Sequence, residues 1–318
     1  MREDGTRFGT GIQEHVRRAG ICAGLLLALA GAGPWPGAEA RGAEGVKEVS
    51  ALFIGNSFTR RNHLADVVER LAEEGNPGLA FRHTEVIYGG RNLRQHWEQF
   101  RTHNLLRLPD LRKADLEAAC EALGREAAAV TNETKDALSD VGRYRGAAAH
   151  HRAWMEMLAD PPRWDYVFLQ AWNDKEGGLE SGYAVYARKF AELAHKRGAK
   201  VVLYVTAPER QNAEPLAAAP DAAPVAAENL FLASLARELD ALVVPVAAAI
   251  QRCHERRPAM VFRWKNDMHA NQATAYLTAC MMYAVLFDKS PEGLTMNEVT
   301  DDKIVDRQKP DADPDGGP

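Results

Sequence analysis

Ser57 is placed where a hydroxyl can be made to react. The apolar run Ala51-Leu52-Phe53-Ile54 ends abruptly in Gly55-Asn56-Ser57, and a helical pattern follows with Leu64, Val67, Val68 and Leu71 on one face. A serine on the turn between a buried strand and a helix stands at the positive end of the helix dipole, where backbone N–H groups meet developing negative charge. The same position also suits a plain helix cap. Chemistry at Ser57 therefore requires a base, a group that orients the base, and donors for an oxyanion.

Each of these has a candidate at the end of another apolar segment. Lys265-Asn266-Asp267-Met268-His269-Ala270-Asn271 sets a histidine next to a carboxylate just before a helical pattern. Tyr88-Gly89-Gly90 closes a second apolar segment, and a glycine there can bring an unobstructed N–H close to a ligand. Ala171-Trp172-Asn173-Asp174 closes a third, where an asparagine amide can donate to an oxyanion or form an Asx-turn.

These segments need a scaffold that brings their ends together. The spacing predicts strands at 49–55, 80–88, 166–171, 200–206 and 241–246, alternating with helices at 64–74, 183–197, 228–239 and 271–287. Continuous apolar strands alternating with helices imply a parallel sheet covered on both faces. The expected fold is α/β: a three-layer α/β/α sandwich with a five-stranded parallel sheet and its site at the carboxyl ends of the strands. Residues 104–160 interrupt the rhythm with two helical patterns, 115–129 and 132–158. They read as an inserted helical hairpin, either scaffold or a cover over the site. The Ala/Pro-rich stretch 211–227 is expected as a surface loop.

Bulk properties narrow the function. The chain has 318 residues, 46% of them hydrophobic, and a net charge of −5. With no basic stripe, nucleic-acid binding is not expected. Arg17 and Arg18 precede the apolar run 21–32. Pro34, Pro36 and Gly37 break that run, and Ala38-Glu39-Ala40 offers a cleavage site. Residues 1–40 thus read as a signal peptide. The mature chain is expected in the periplasm or outside the cell, with no stable membrane insertion. Cys120, Cys253 and Cys280 then remain, too few for a disulfide framework, although one bridge between Cys120 and Cys253 is open. No Cys/His group has zinc spacing, so neither a metal nor a cofactor is expected. The adjacent pairs His150-His151 and Cys253-His254 read as surface residues. The acidic, Pro/Gly-rich end, 298–318, reads as a disordered tail.

The order Ser, Gly, Asn, Asp/His along successive strand ends resembles the SGNH (GDSL-like) hydrolase superfamily, in the bacterial branch that carries Gly-Asn-Ser. Ile54-Gly-Asn-Ser-Phe-Thr59 is similar to its first block. Asn62-His-Leu64, Gly89-Gly90-x-x-Leu93-x-x-His96, Trp164-Asp-Tyr-Val-Phe-Leu-Gln170 and the Ala270-to-Ala279 segment are similar to later ones. The resemblance spans about residues 50–292, within a hydrolase domain expected at 46–297, and implies a flavodoxin-like SGNH hydrolase fold. It also implies Ser57 as nucleophile and His269 as general base. The Ser57 N–H, Gly90 (or Gly89) and Asn173 would form the oxyanion hole. Gln170, which ends the third strand, competes with Asn173. The sequence departs from the family's pattern in two places. Ala171 stands where a glycine is usual, and Asn266 stands three residues before the histidine, where the acid belongs. Asp267, two residues before, is the expected acid, with Asn266 as the alternative. The resemblance implies an exported serine esterase acting on a small-molecule or polysaccharide ester, with acetyl groups on carbohydrates as the first expectation. Trp97, Trp172 and Trp264 lie near the proposed site segments and read either as core or rim packing or as sugar-stacking rings. The alternatives are a lipid or short-chain ester hydrolase and a non-catalytic carbohydrate-binding protein on an esterase scaffold.

Overall fold

A computed structural model describes residues 47–130, 135–171, 173–206 and 208–300. The expected signal peptide and the tail from 301 onward lie outside the described residues. Five strands form one parallel sheet: β1 (Lys47–Gly55), β2 (Leu79–Ile87), β3 (Tyr166–Ala171), β4 (Lys200–Val205) and β5 (Leu242–Val244). Their order is β2-β1-β3-β4-β5. This is the flavodoxin-like order, with its switch point beside β1. Because β2 and β3 flank β1, the loops that leave all three strands emerge side by side.

Alternation along the strands sends side chains to two separate cores. Leu52 and Ile54 of β1 join one cluster with Leu169 and Leu203. Val49, Ala51 and Phe53 join the other with Phe168 and Tyr204. The second face is covered by α2 (Leu64–Gly75), α9 (Val246–Arg256) and α10 (Gln272–Phe287). The first face is covered by α3 (Leu93–Glu98), α4 (His103–Leu106), α7 (Gly182–Lys196) and α8 (Ala223–Glu238). The hairpin α5 (Lys113–Ala129) and α6 (Lys135–Glu156) belongs to this same core. Leu116, Leu123, Ala147, Ala148 and Trp154 are buried in it. The insertion is therefore packed scaffold on this face. A short helix, α1 (Ser57–Arg60), precedes α2.

The structure corrects several expectations. β5 ends at Val244, because Pro245 has no N–H to offer a ladder, and α9 begins directly after it. Cys253 and His254 lie on that helix and are buried, not on the surface. His151 is likewise buried, against Trp154, and His150 meets the Tyr88 hydroxyl at 2.9 Å. α8 starts at Ala223, inside the expected loop, with a proline in its first turn, where no amide donor is needed. Cys120, Cys253 and Cys280 form no disulfide, so the bridge between Cys120 and Cys253 is absent. Among the described residues no helix is long and apolar enough to cross a membrane.

Candidate active site

The turn that carries Ser57 is fixed from beneath. Asn56 is the N-cap of α1 and its side-chain oxygen accepts from Phe58 N–H at 3.1 Å, while its Nδ2 donates to Arg91 O at 3.0 Å. The Asn56 N–H donates to Gln170 Oε1 at 2.7 Å, and the Thr59 hydroxyl reaches the same oxygen at 3.3 Å. A Cβ on Gly55 would lie 2.6 Å from that Gln170 oxygen and 2.8 Å from Thr59 Oγ1. The glycine before Asn56 is thus required by close approach. His96 completes the support: its Nε2–H donates to Gly55 O at 2.8 Å and its Nδ1 accepts from the Thr102 hydroxyl at 3.0 Å. Burial pushes the His96 pKa down to about 4, against the pull of the Gly55 hydrogen bond, so the ring is neutral at pH 7. Asn56, Thr59, His96 and Gln170 are all buried, whereas Ser57 itself is half-buried.

The histidine arrives on a loop between α9 and α10. An isolated bridge between Arg263 and Ala270 closes this loop, and the Arg263 guanidinium donates to Asp267 O at 3.2 Å. Asn271 caps α10 by accepting from Thr274 N–H at 3.0 Å and ties back to Val261 O. Within the loop, Asp267 Oδ1 accepts from the His269 backbone N–H at 3.1 Å and from ring Nδ1–H at 2.5 Å. The two-residue spacing is that of an Asx-turn, which lets one carboxylate oxygen hold both the backbone and the ring of the histidine. His269 Nε2 then accepts from Ser57 Oγ at 2.7 Å. The Phe58 ring packs on the imidazole with centroids 4.8 Å apart. Burial opposes the charge on Asp267. The side-chain and backbone hydrogen bonds from His269, with the charges of His269 and Arg61, outweigh it and hold the carboxyl down at about 2.

The structure therefore brings Ser57, His269 and Asp267 into one hydrogen-bonded line, and Asn266 sits exposed beside it. Gly90 follows β2 with φ +70, at the left-handed position of a turn closed by Arg91 N–H to Tyr88 O at 3.1 Å. A Cβ on Gly89 or Gly90 would meet nothing within 4 Å. Asn173 follows β3 on the other side of β1 and is half-buried, and its Oδ1 has no hydrogen-bond partner among the described residues. Gln170 has a task the sequence did not assign it, since its oxygen is spent on the Asn56 turn.

The aromatic candidates fare differently. Trp264 is fully buried, with the Arg61 guanidinium 5.8 Å over its ring, so it is not a sugar platform. Trp97 stacks on His103 at 4.4 Å and meets Phe190 edge-on. Trp172 lies outside the described residues. Two supports were missed in the sequence, Arg61 and the Gly55-binding role of His96. The second lies in the Gly89-Gly90-x-x-Leu93-x-x-His96 segment, where spacing alone assigns His96 no role. Among the described residues no group of three His, Cys, Asp or Glu side chains is arranged to hold a metal ion.

No family model and no curated protein matches this chain. Among solved structures, one described as "a putative SGNH hydrolase from Slackia heliotrinireducens" is similar at 17% identity, covering 76% of this chain and 100% of that one, with a TM-score of 0.40.

Proposed function

We propose that the protein is a serine hydrolase that cleaves carboxylic esters. The observation that carries this is the continuous line from Ser57 Oγ through the His269 ring to Asp267, with distances of 2.7 and 2.5 Å. Ser57 Oγ attacks the ester carbonyl while His269 Nε2 takes its proton. The tetrahedral oxyanion collapses, the C–O bond to the alcohol breaks, and the imidazolium returns the proton to the departing alkoxide. Water, deprotonated by the same ring, then attacks the acyl-serine; the acyl–Oγ bond breaks, the imidazolium returns the proton to Ser57 Oγ, and the acid is released. Asp267 holds the ring in the tautomer that leaves Nε2 free to accept and stabilises the imidazolium.

For the oxyanion we propose the backbone N–H groups of Ser57 and Gly90 with the Asn173 amide. Support comes from the sheet order, which sets the β2 and β3 loops on either side of Ser57. Neither of the two backbone N–H groups has an acceptor among the described residues.

The decisive measurement is hydrolysis of an aryl acetate by wild type and Ser57→Ala. Loss of about 10⁴-fold or more in kcat is expected. Equal rates in both proteins would remove Ser57 as nucleophile, and an inactive wild type would favour a binding protein on this scaffold. Within the hydrolase reading, an O-acetylated carbohydrate is the proposed substrate class, with an exported location. Acetate release from acetylated xylan, compared with release from long-chain aryl esters, tests the substrate. Cell fractionation tests the location.

A further inference from the structure

The segment directly after the nucleophile helix, Arg61-Asn62, has no part in the chemistry above, yet both side chains cross to the histidine loop. Arg61 Nη2 donates to Asp267 Oδ2 at 3.0 Å, the oxygen that His269 does not use. The Arg61 side chain is buried, and its guanidinium lies over the Trp264 ring. Asn62 is fully buried in a left-handed conformation with φ 56, which asparagine tolerates better than most residues. Its Nδ2 donates to Ala270 O at 3.0 Å, on the far side of His269.

We propose that Arg61 is a positioning residue that sets the carboxylate of Asp267 against the His269 ring, with Asn62 as the second point of the same tether. This rests on the serine-hydrolase reading of the site. The physical need for it follows from the spacing. An acid two residues before the histidine belongs to a tight Asx-turn, and its loop neighbours Asn266 and Met268 are exposed. Such a carboxylate can rotate into water unless its outer oxygen is held. A buried guanidinium holds it as a charge-assisted hydrogen bond, and because the holder stands four residues after Ser57, nucleophile and acid are referred to one piece of backbone. The charged groups that face the Asp267 carboxylate are then His269 within its own loop and Arg61 from the nucleophile segment, while Arg263 binds the Asp267 backbone carbonyl.

Arg61→Met, Arg61→Lys and Asp267→Ala, with the double variant Arg61→Met/Asp267→Ala, test this in the full chain. Arg61→Met is expected to lower kcat on an aryl acetate about tenfold or more with KM little changed, as misplacement of a catalytic group does. Arg61→Lys should recover most of the loss. In the Asp267→Ala background Arg61→Met should cost nothing further, because a residue that acts through Asp267 has nothing left to position. The Asp267 carboxyl midpoint, followed by carbon NMR, should rise in Arg61→Met and stay low in Arg61→Lys. Arg61→Gln serves for the same readings where Arg61→Met does not fold. Additive losses in the double variant, or an unchanged Asp267 midpoint, would overturn the proposal. If wild type and Ser57→Ala hydrolyse the ester alike, the hydrolase reading fails, whereas the carboxyl midpoint still reports whether Arg61 holds Asp267.

Discussion

The two halves of the candidate site are held in opposite ways. The turn at Ser57 is gripped by buried polar groups from distant parts of the chain: Gln170 through the Asn56 N–H, and His96 through Gly55 O. The loop at His269 is built on a local turn, through the Asx-turn of Asp267 and the Arg263–Ala270 bridge, is tied to the nucleophile segment at Arg61 and Asn62, and leaves Asn266 and Met268 exposed. A nucleophile must present its oxygen at one place, and buried long-range bonds fix a place. A base must receive and return a proton, and a short local turn fixes its tautomer once the outer carboxylate oxygen is held, here by Arg61. Damage to the first half should therefore spread into folding more than into chemistry, whereas damage to the second should fall chiefly on the chemistry.

The largest expected effect tests the second half of that contrast. Asp267→Ala should lower kcat by about 10⁴-fold, as loss of the orienting carboxylate does in a triad. Its thermal unfolding should remain cooperative. Asn266→Ala, a change at an exposed position, should alter turnover by no more than about twofold. Steady-state kinetics on the pair check this. If Asp267→Ala keeps full turnover, the local turn is not the acid's role and the contrast collapses.

Gln170→Leu probes the first half. It keeps volume but leaves the buried Asn56 N–H without its acceptor, a loss of about 1–3 kcal/mol in stability. Because that N–H belongs to the residue before Ser57, turnover should fall as well, by up to about 100-fold for a shift near 1 Å. Denaturant unfolding and kcat measured together are the check. A fall in kcat with no loss of stability would show that Gln170 reaches the reacting atoms instead of holding the turn.

The contrast also explains what was legible in the sequence. β1, β3, β4 and α10 were readable because continuous apolar runs and helical spacing are local signals. Ser57, Asp267 and His269 were readable because residue type, spacing and position at segment ends coincide. α9 was not read, since the pattern after Pro245 gives no break long enough to separate strand from helix. The tasks of Gln170, His96 and Arg61 depend on partners 114, 41 and 206 residues away, and no window along the chain contains both ends. Trp264 could be read from sequence as core or as a site ring for the same reason, and the fold encloses it in the core.

Acid titration separates the two halves by window. His96 has a folded pKa of about 4, below its unfolded value near 6.5, so the native state binds fewer protons than the unfolded one between these values. Its contribution is present above about pH 6.5 and is lost as pH falls toward 4, with a span of about 3 kcal/mol from the size of the shift. Asp267 is also depressed, from 3.8 to about 2. It contributes about 2 kcal/mol above its unfolded pKa, and that share is lost only as pH falls through about 2. Urea unfolding of wild type, His96→Gln and Asp267→Asn from pH 7 to pH 3 should therefore give two different difference curves. The gap between wild type and His96→Gln should narrow between pH 6.5 and 4, while the gap to Asp267→Asn should hold through that range and begin to close only below about pH 4. If both gaps close together, the histidine under Gly55 and the carboxylate beside His269 share one titrating network.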